Sequence, residues 1–225
     1  MRLNRKTRYY LASVGSSALV GFAIAGLFLA GYFVSLQSVF SDKLYSERTH
    51  SSEITIVAID NESIGKIGRW PWDRSVHAEF FKKLAAFHPR AVGVDIAFLE
   101  PTAEDTLLAQ SLFSLEGAVI ALEADVRTGT SGNLIAETIR PPAESLRAVN
   151  AGLANTPVDE DGILRAVPLE IRSDTKKYPA LFTAILQQYY GNEDFLTSIP
   201  KRADGSMLIN FAGGPGSFAV IPYSR

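Results

Sequence analysis

Two aspartates stand where apolar strand-like runs give out. Asp60 closes "ITIVAID" at 54–60, and Asp95 interrupts "AVGVDIAF" at 91–98. A pair of carboxylates at the carboxyl edge of neighbouring strands is the place where open α/β folds bind ligands, and a hydrolase uses such a pair to hold a metal ion and activate water. The plainer use of the same residues is structural: Asp60 caps the "NESIG" turn, and Asp95 bonds Arg74 or loop amides. That plainer use is the expectation adopted for both.

Between them lies "IGRWPWDRS" at 67–75, which holds both tryptophans of the chain around Pro71. Pro71 fixes its own φ and restricts Trp70 to extended backbone, so the two indoles are pre-positioned where a helix begins. Two uses compete. As a wedge, the rings bury apolar area while their N–H groups bond loop carbonyls; as a cage, they face a cation or a sugar. The wedge is the expectation here. Other chemistries have weaker footing. "DEDG" at 159–162 lacks the alternating acids and distal glutamate of a calcium loop. The three histidines, His50, His77 and His88, have no ligand spacing for zinc. "GGPGS" lacks the lysine of a phosphate-binding loop. No cofactor is expected.

The chain of 225 residues carries 22 basic and 24 acidic side chains, and Arg2, Arg5, Lys6 and Arg8 precede every acid. A basic groove with interleaved aromatics is missing, so nucleic acid is not an expected partner. Cysteine is absent, which excludes disulfides and thiolate metal sites. From Tyr9 to Ser41 no residue is charged, and the apolar run at 11–36 exceeds the roughly 20 residues needed to span a bilayer as a helix. The basic cluster before it and Asp42 after it place the N-terminus in the cytoplasm. Tyr9 and Tyr10 at one end and Tyr32, Phe33 and Phe40 at the other suit interfacial belts. Ala23-Ile24-Ala25 has the small residues of a signal-peptide cleavage site, but the apolar run continues past it, so an uncleaved anchor is expected. Ser17, Gly21 and Ala25 recur every fourth residue, a stripe along which two such helices can approach, which suggests a homodimer.

The elements that would position the chemistry follow by pattern. The run at 54–60 is β-branched without alternation, as in a strand covered on both faces. Val76, Phe80, Phe81, Leu84 and Ala85 make one helical face, with Asp73 or Ser75 at its start and Pro89 after its end. With 91–98 as the next strand, this reads as a βαβ unit. A helix at 103–114, a strand at 118–123, an exposed loop "RTGTSGN", a short helix at 143–149 and a strand at 163–172 come next. Pro179 in a first turn and Gly191 at the end bracket a helix; 207–211 reads as a strand, "AGGPGS" as a tight loop, and no element is assigned beyond it.

These residues resemble a known family. The stretch at 54–98, through Asp60, Ser63, Gly68, Trp70, Pro71, Trp72, Arg74, Leu84, Asp95 and Phe98, resembles the opening of the CHASE domain of the second type, an extracytoplasmic sensory module of bacterial receptors. "GLANTPVDEDGILRAVPL" resembles the family's approach to an Asp-Gly-x-x-Arg turn, here Asp161, Gly162 and Arg165, and "INFAGGPGSF" its Asn-aromatic-x-Gly strand end. The resemblance implies a sensor that continues into a further strand and membrane helices leading to a cytoplasmic output domain, so the sensory domain is expected to be incomplete at its C-terminus.

The resulting expectation is an α/β protein: a basic tail at 1–9, a transmembrane helix at 10–36, a juxtamembrane connector at 37–53, and an extracytoplasmic domain at 54–225 with a mainly parallel or mixed sheet flanked by helices. Its ligand-binding or loop-organising candidates are Asp60, Ser63, Trp70, Trp72, Arg74, Asp95, Asp161 and Arg165. No catalysis is expected of the chain. It would sit in the bacterial inner membrane, receive an unknown small-molecule or envelope-protein signal, and regulate a cytoplasmic cyclase, kinase or diguanylate cyclase. The other classes are an exported carboxylate- or metal-dependent hydrolase and a non-sensing envelope scaffold.

Overall fold

A computed structural model describes residues 4–30, 52–130, 132–159, 161–174 and 176–225. Among these, the residues of Met1–Ser52 and Asn210–Phe218 form one compact unit, and those of Glu53–Ile209 and Ala219–Arg225 another. In the first, helix α1 (Arg5–Leu29) has no buried residue and is long and apolar enough to cross a membrane. The expected end of the anchor at 31–36, with its aromatic belt residues Tyr32 and Phe33, and the connector through Ser51 lie outside the described residues.

The second unit is built on a mixed sheet. Strands β2 (Val92–Val94) and β5 (Asn150–Leu153) flank the first half of β3 (Ala118–Thr128), both parallel to it. The second half of β3 turns back antiparallel on β4 (Leu134–Arg140), and β7 (Glu170–Arg172) and β8 (Lys177–Pro179) extend the sheet beyond β4. Two faces of β3 are buried at once, so Ala118–Leu122 is an uninterrupted apolar run. Ala118 and Ile120, with Val94, face a core filled by Phe81 of α3 (Arg74–Ala85), Leu108 and Leu112 of α4 (Asp105–Phe113), and Phe98 and Leu146. Helix α5 (Leu181–Tyr190) packs on the strands β2, β3 and β5. There the sheet offers glycines: a Cβ on Gly93 would strike Ile185, and one on Gly152 would lie 2.6 Å from the backbone of Leu181.

Several boundaries differ from those the pattern predicts. Strand β1 (Thr55–Ala58) does not pair with β2 and is not covered on both faces: Ile54 and Ile56 are half-exposed, and its ladder partner is β10 (Ala219–Pro222), parallel to it. The expected βαβ pairing of β1 with β2 is therefore corrected, as is the absence of an element after "AGGPGS". The loop "RTGTSGN" is partly the arm of a hairpin, because β3 runs to Thr128 and β4 starts at Leu134. The strand at 163–172 is two short ones, β6 (Ala166–Pro168), paired with β9 (Ser206–Leu208), and β7. The short helix at 143–149 is one 3-10 turn, Glu144–Leu146. Pro179 ends β8, and α5 starts two residues later with Gly191 closing it at φ 72°.

The close seat of α5 on β5 yields a direct test. Gly152→Val places a branched side chain against the backbone of Ala180 and Leu181, and is expected to destabilise the domain by about 1–3 kcal/mol in denaturant melts. An unchanged midpoint would mean that α5 does not pack there.

Candidate functional site

Asp60 ends the extended backbone after β1 and caps the short helix α2 (Asn61–Ile67), its Oδ1 accepting the Ser63 N–H at 2.8 Å. That bond holds the Asp60 carboxyl below its ordinary range. Ser63 is fully buried, and its Oγ accepts the Ser224 N–H at 3.1 Å. One residue earlier, the Tyr223 N–H donates to the Ala58 carbonyl at 2.8 Å. The Asp60–Ser63 turn is therefore tied to the last residues of the chain.

The tryptophans divide their roles. Trp72 is 7% exposed and donates its indole N–H to the Gly68 carbonyl at 2.7 Å; Gly68 sits at φ 122°, open to glycine and strained for other residues. Trp70, joined to Pro71 by a cis peptide, is 37% exposed and meets Trp72 edge-on at 5.3 Å. Behind them an aromatic cluster closes around Tyr223. Its ring lies 5.3 Å from Trp72 and stacks at 4.0 Å on Phe80, and its hydroxyl is 2.9 Å from His77 Nδ1. His77 and Tyr223, which the sequence reading did not assign to the site, are its centre.

Arg74 does not pair with Asp95. Its Nε lies 3.4 Å from Asp105 Oδ1, its guanidinium donates to the Glu100 carbonyl at 3.3 Å, and it covers the Phe98 ring at 4.5 Å. Asp105 is held in turn by the Thr102 N–H and hydroxyl at 2.8 and 3.0 Å. The expected Asp95–Arg74 bond is thereby corrected: Arg74 and Asp105 are both largely buried, and a buried guanidinium requires the carboxylate that can follow it into the core. Asp95 is exposed and makes no hydrogen bond to a described residue. Asp73 occupies the N-cap of α3 without a side-chain cap bond.

Trp70, Trp72, Arg74 and Asp95 line one cleft of about 730 Å³, with Asp73, Glu100 and Glu104 on its walls. Asp161 and Arg165 are not among its lining residues. Arg165 instead bonds both oxygens of Asp161 at 2.9 Å and Asp159 at 2.8 Å, which lowers the Asp161 pKa and rigidifies the turn before β6. Among the described residues no group of three or more His, Cys, Asp or Glu side chains converges to hold a metal.

Burial, with the Arg74 charge adding to it, pushes the His77 pKa down from its ordinary 6.5 to about 4. Burial also raises the Tyr223 pKa, so at neutral pH a neutral imidazole faces a protonated phenol. Between about pH 6.5 and 4 the unfolded chain binds a proton at His77 that the folded domain does not. Stability contributed by neutral His77 is thus fully present above this window and lost as pH falls through it, by roughly 3 kcal/mol in all. His77→Gln is expected to flatten urea-derived stability over that range; an equal slope in both proteins would place His77 in contact with water. In the same assay Trp72→Ala should cost about 3–5 kcal/mol and Trp70→Ala about 1–2, in proportion to the area each buries. Equal losses would contradict the division between them.

No curated protein and no solved structure matches the chain. The family model of the CHASE2 domain matches residues 19–225, nearly the whole chain, including the capped Asp60 turn, the tryptophan cleft and the Tyr223 segment. The chain therefore belongs to the CHASE2 family, the extracellular sensory domains of receptors.

Proposed function

We propose that this chain is the signal-input module of a bacterial inner-membrane receptor, with Arg2, Arg5, Lys6 and Arg8 in the cytoplasm, α1 across the bilayer and the α/β domain in the periplasm. The charge asymmetry around α1 supports the orientation. In this reading the chain performs no chemistry of its own; it biases a cytoplasmic output domain of the cyclase, kinase or diguanylate cyclase kind. Two copies associate along Ser17, Gly21 and Ala25, where a Cβ on Gly21 would meet nothing within 4 Å among the described residues beyond its own helix backbone.

The observation that carries the sensory reading is the contact between the cleft and the segment that follows β10. Trp72 and His77 line the cleft, and both pack against Tyr223, which follows the strand paired with β1. A ligand shifts a receptor only by binding one arrangement better than another, and here the cleft wall and the residue that follows β10 share side-chain contacts. Whatever moves Trp72 or His77 moves the fastening of β10.

A periplasmic reporter fused after Ser52 is expected to be active and a cytoplasmic one silent; the reverse pattern overturns the orientation. In a receptor carrying this chain, Tyr223→Phe keeps the stacked ring and deletes the hydroxyl bonded to His77. It should change basal output at equal protein level, and unchanged output would remove Tyr223 from the signalling route.

A further inference from the structure

The cleft beside the tryptophans has a chemical character that the sensory reading does not specify. Four carboxylates line it, Asp73, Asp95, Glu100 and Glu104, against the single cation Arg74. Arg74 is not available to balance them, because its guanidinium is already engaged by Asp105, the Glu100 carbonyl and the Phe98 face. All four carboxylate residues are exposed, and none of their side chains has a hydrogen-bond or ion-pair partner among the described residues. Trp70 adds an indole that is still 37% exposed on the same wall, held edge-on to Trp72 and His77 at 5.3 and 5.7 Å. The fixed ring is a preorganised surface: its two neighbours hold it in place before anything binds.

We propose that this cleft binds a small organic cation, an ammonium group carrying methyl or methylene surface, with Trp70 against its apolar face and Asp95 supplying the charge. The composition favours this class over its rivals. A bare divalent ion needs several oxygens converging within one coordination sphere, and the described side chains provide no such group. An anion would meet four carboxylates and an arginine that is already paired. A neutral sugar would use the ring and could donate hydroxyls to the carboxylates, but it would leave their negative charge uncompensated. An alkylammonium uses both, since an indole face attracts a cation by its quadrupole while the methyl groups desolvate cheaply, and the carboxylates raise the local cation concentration. The proposal rests on the sensory reading and names the class of ligand that its cleft would take.

The chain reports its own occupancy, because Trp70 and Trp72 are its only tryptophans and both line the cleft. The full chain is placed in phosphatidylglycerol nanodiscs and titrated with choline, and in parallel with 3,3-dimethylbutan-1-ol, its uncharged isostere. Choline is expected to change the indole emission saturably and the alcohol is not. By calorimetry, Asp95→Asn and Trp70→Leu should each weaken choline binding by roughly 3- to 30-fold, and Trp70→Phe should restore part of it. Asp95 has no side-chain partner to lose among the described residues, so its variant keeps the wild-type melt and separates binding from folding. A second arm uses nanodiscs containing phosphatidylcholine without free choline: an emission already shifted, and insensitive to added choline, assigns the cation to a lipid headgroup. Absence of saturable binding, or equal responses to choline and the alcohol, overturns the proposal. Because binding is read from emission and heat, never from output, that failure is distinct from failure of the sensory reading, which output in Tyr223→Phe decides.

Discussion

The packing of Tyr223 against Trp72, His77 and Phe80 is the constraint on which the arrangement of the outer domain's ends depends. Among the described residues strand β1 has one ladder partner, β10, and both strands are half-exposed, so a pair of four-residue strands has little apolar burial of its own to sustain it. The additional free energy comes from the residue just past β10. Tyr223 is buried, brings a ring into an aromatic cluster, and finds in His77 a partner for the hydroxyl that would otherwise be desolvated without one. The Ser224 N–H bond to Ser63 fastens the same segment to the turn that Asp60 caps. Three devices, a cap, an aromatic cluster and one parallel ladder, thus converge where β1 meets β10.

The same cluster explains the electrostatics of the neighbouring cleft. Arg74 belongs to the helix that carries His77 and Phe80, and it can be buried there only because Asp105 and the Glu100 carbonyl accompany it. Its positive charge discourages protonation of His77, which keeps the imidazole neutral within an apolar setting. With the arginine neutralised inward, the outward carboxylates set the sign of the cleft. Stability and surface charge therefore arise from one partition: the pair Arg74–Asp105 goes to the core, while Asp73, Asp95, Glu100 and Glu104 remain with solvent.

The rest of the domain serves as a rigid support. β3 is long enough to belong to a parallel ladder at its start and an antiparallel hairpin at its end, with a bulge between Asp125 and Val126 where the register shifts. Exposed ion pairs on the hairpin, Arg140 with Glu123 and Asp125 and Arg127 with Glu137, contribute little to stability, and the apolar layers on either side of β3 contribute most.

The membrane-length helix, helices α3 to α5 and the buried start of β3 were legible in the sequence, because each is specified by residues close along the chain: an uncharged apolar run, a 3.6-residue stripe, a β-branched block. The cap at Asp60 was legible for the same reason, since its partner is three residues away. The CHASE2 kinship could be read from a motif whose residues lie between 54 and 98. What the sequence could not determine was every pairing across distance. The β-branched run at 54–60 has the composition of a central strand, yet β1 lies outside the ladder of β2 and takes as partner a strand 160 and more residues later, a choice that depends on which surfaces remain uncovered once the core has closed. Likewise the pattern put Arg74 beside Asp95, and burial selected instead Asp105, on a helix that enters the core. His77 and Tyr223 carry no sequence signal as a pair, being 146 residues apart, and only the tertiary structure, by removing water from both, turned an isolated histidine and a tyrosine near the chain's end into one hydrogen-bonded unit.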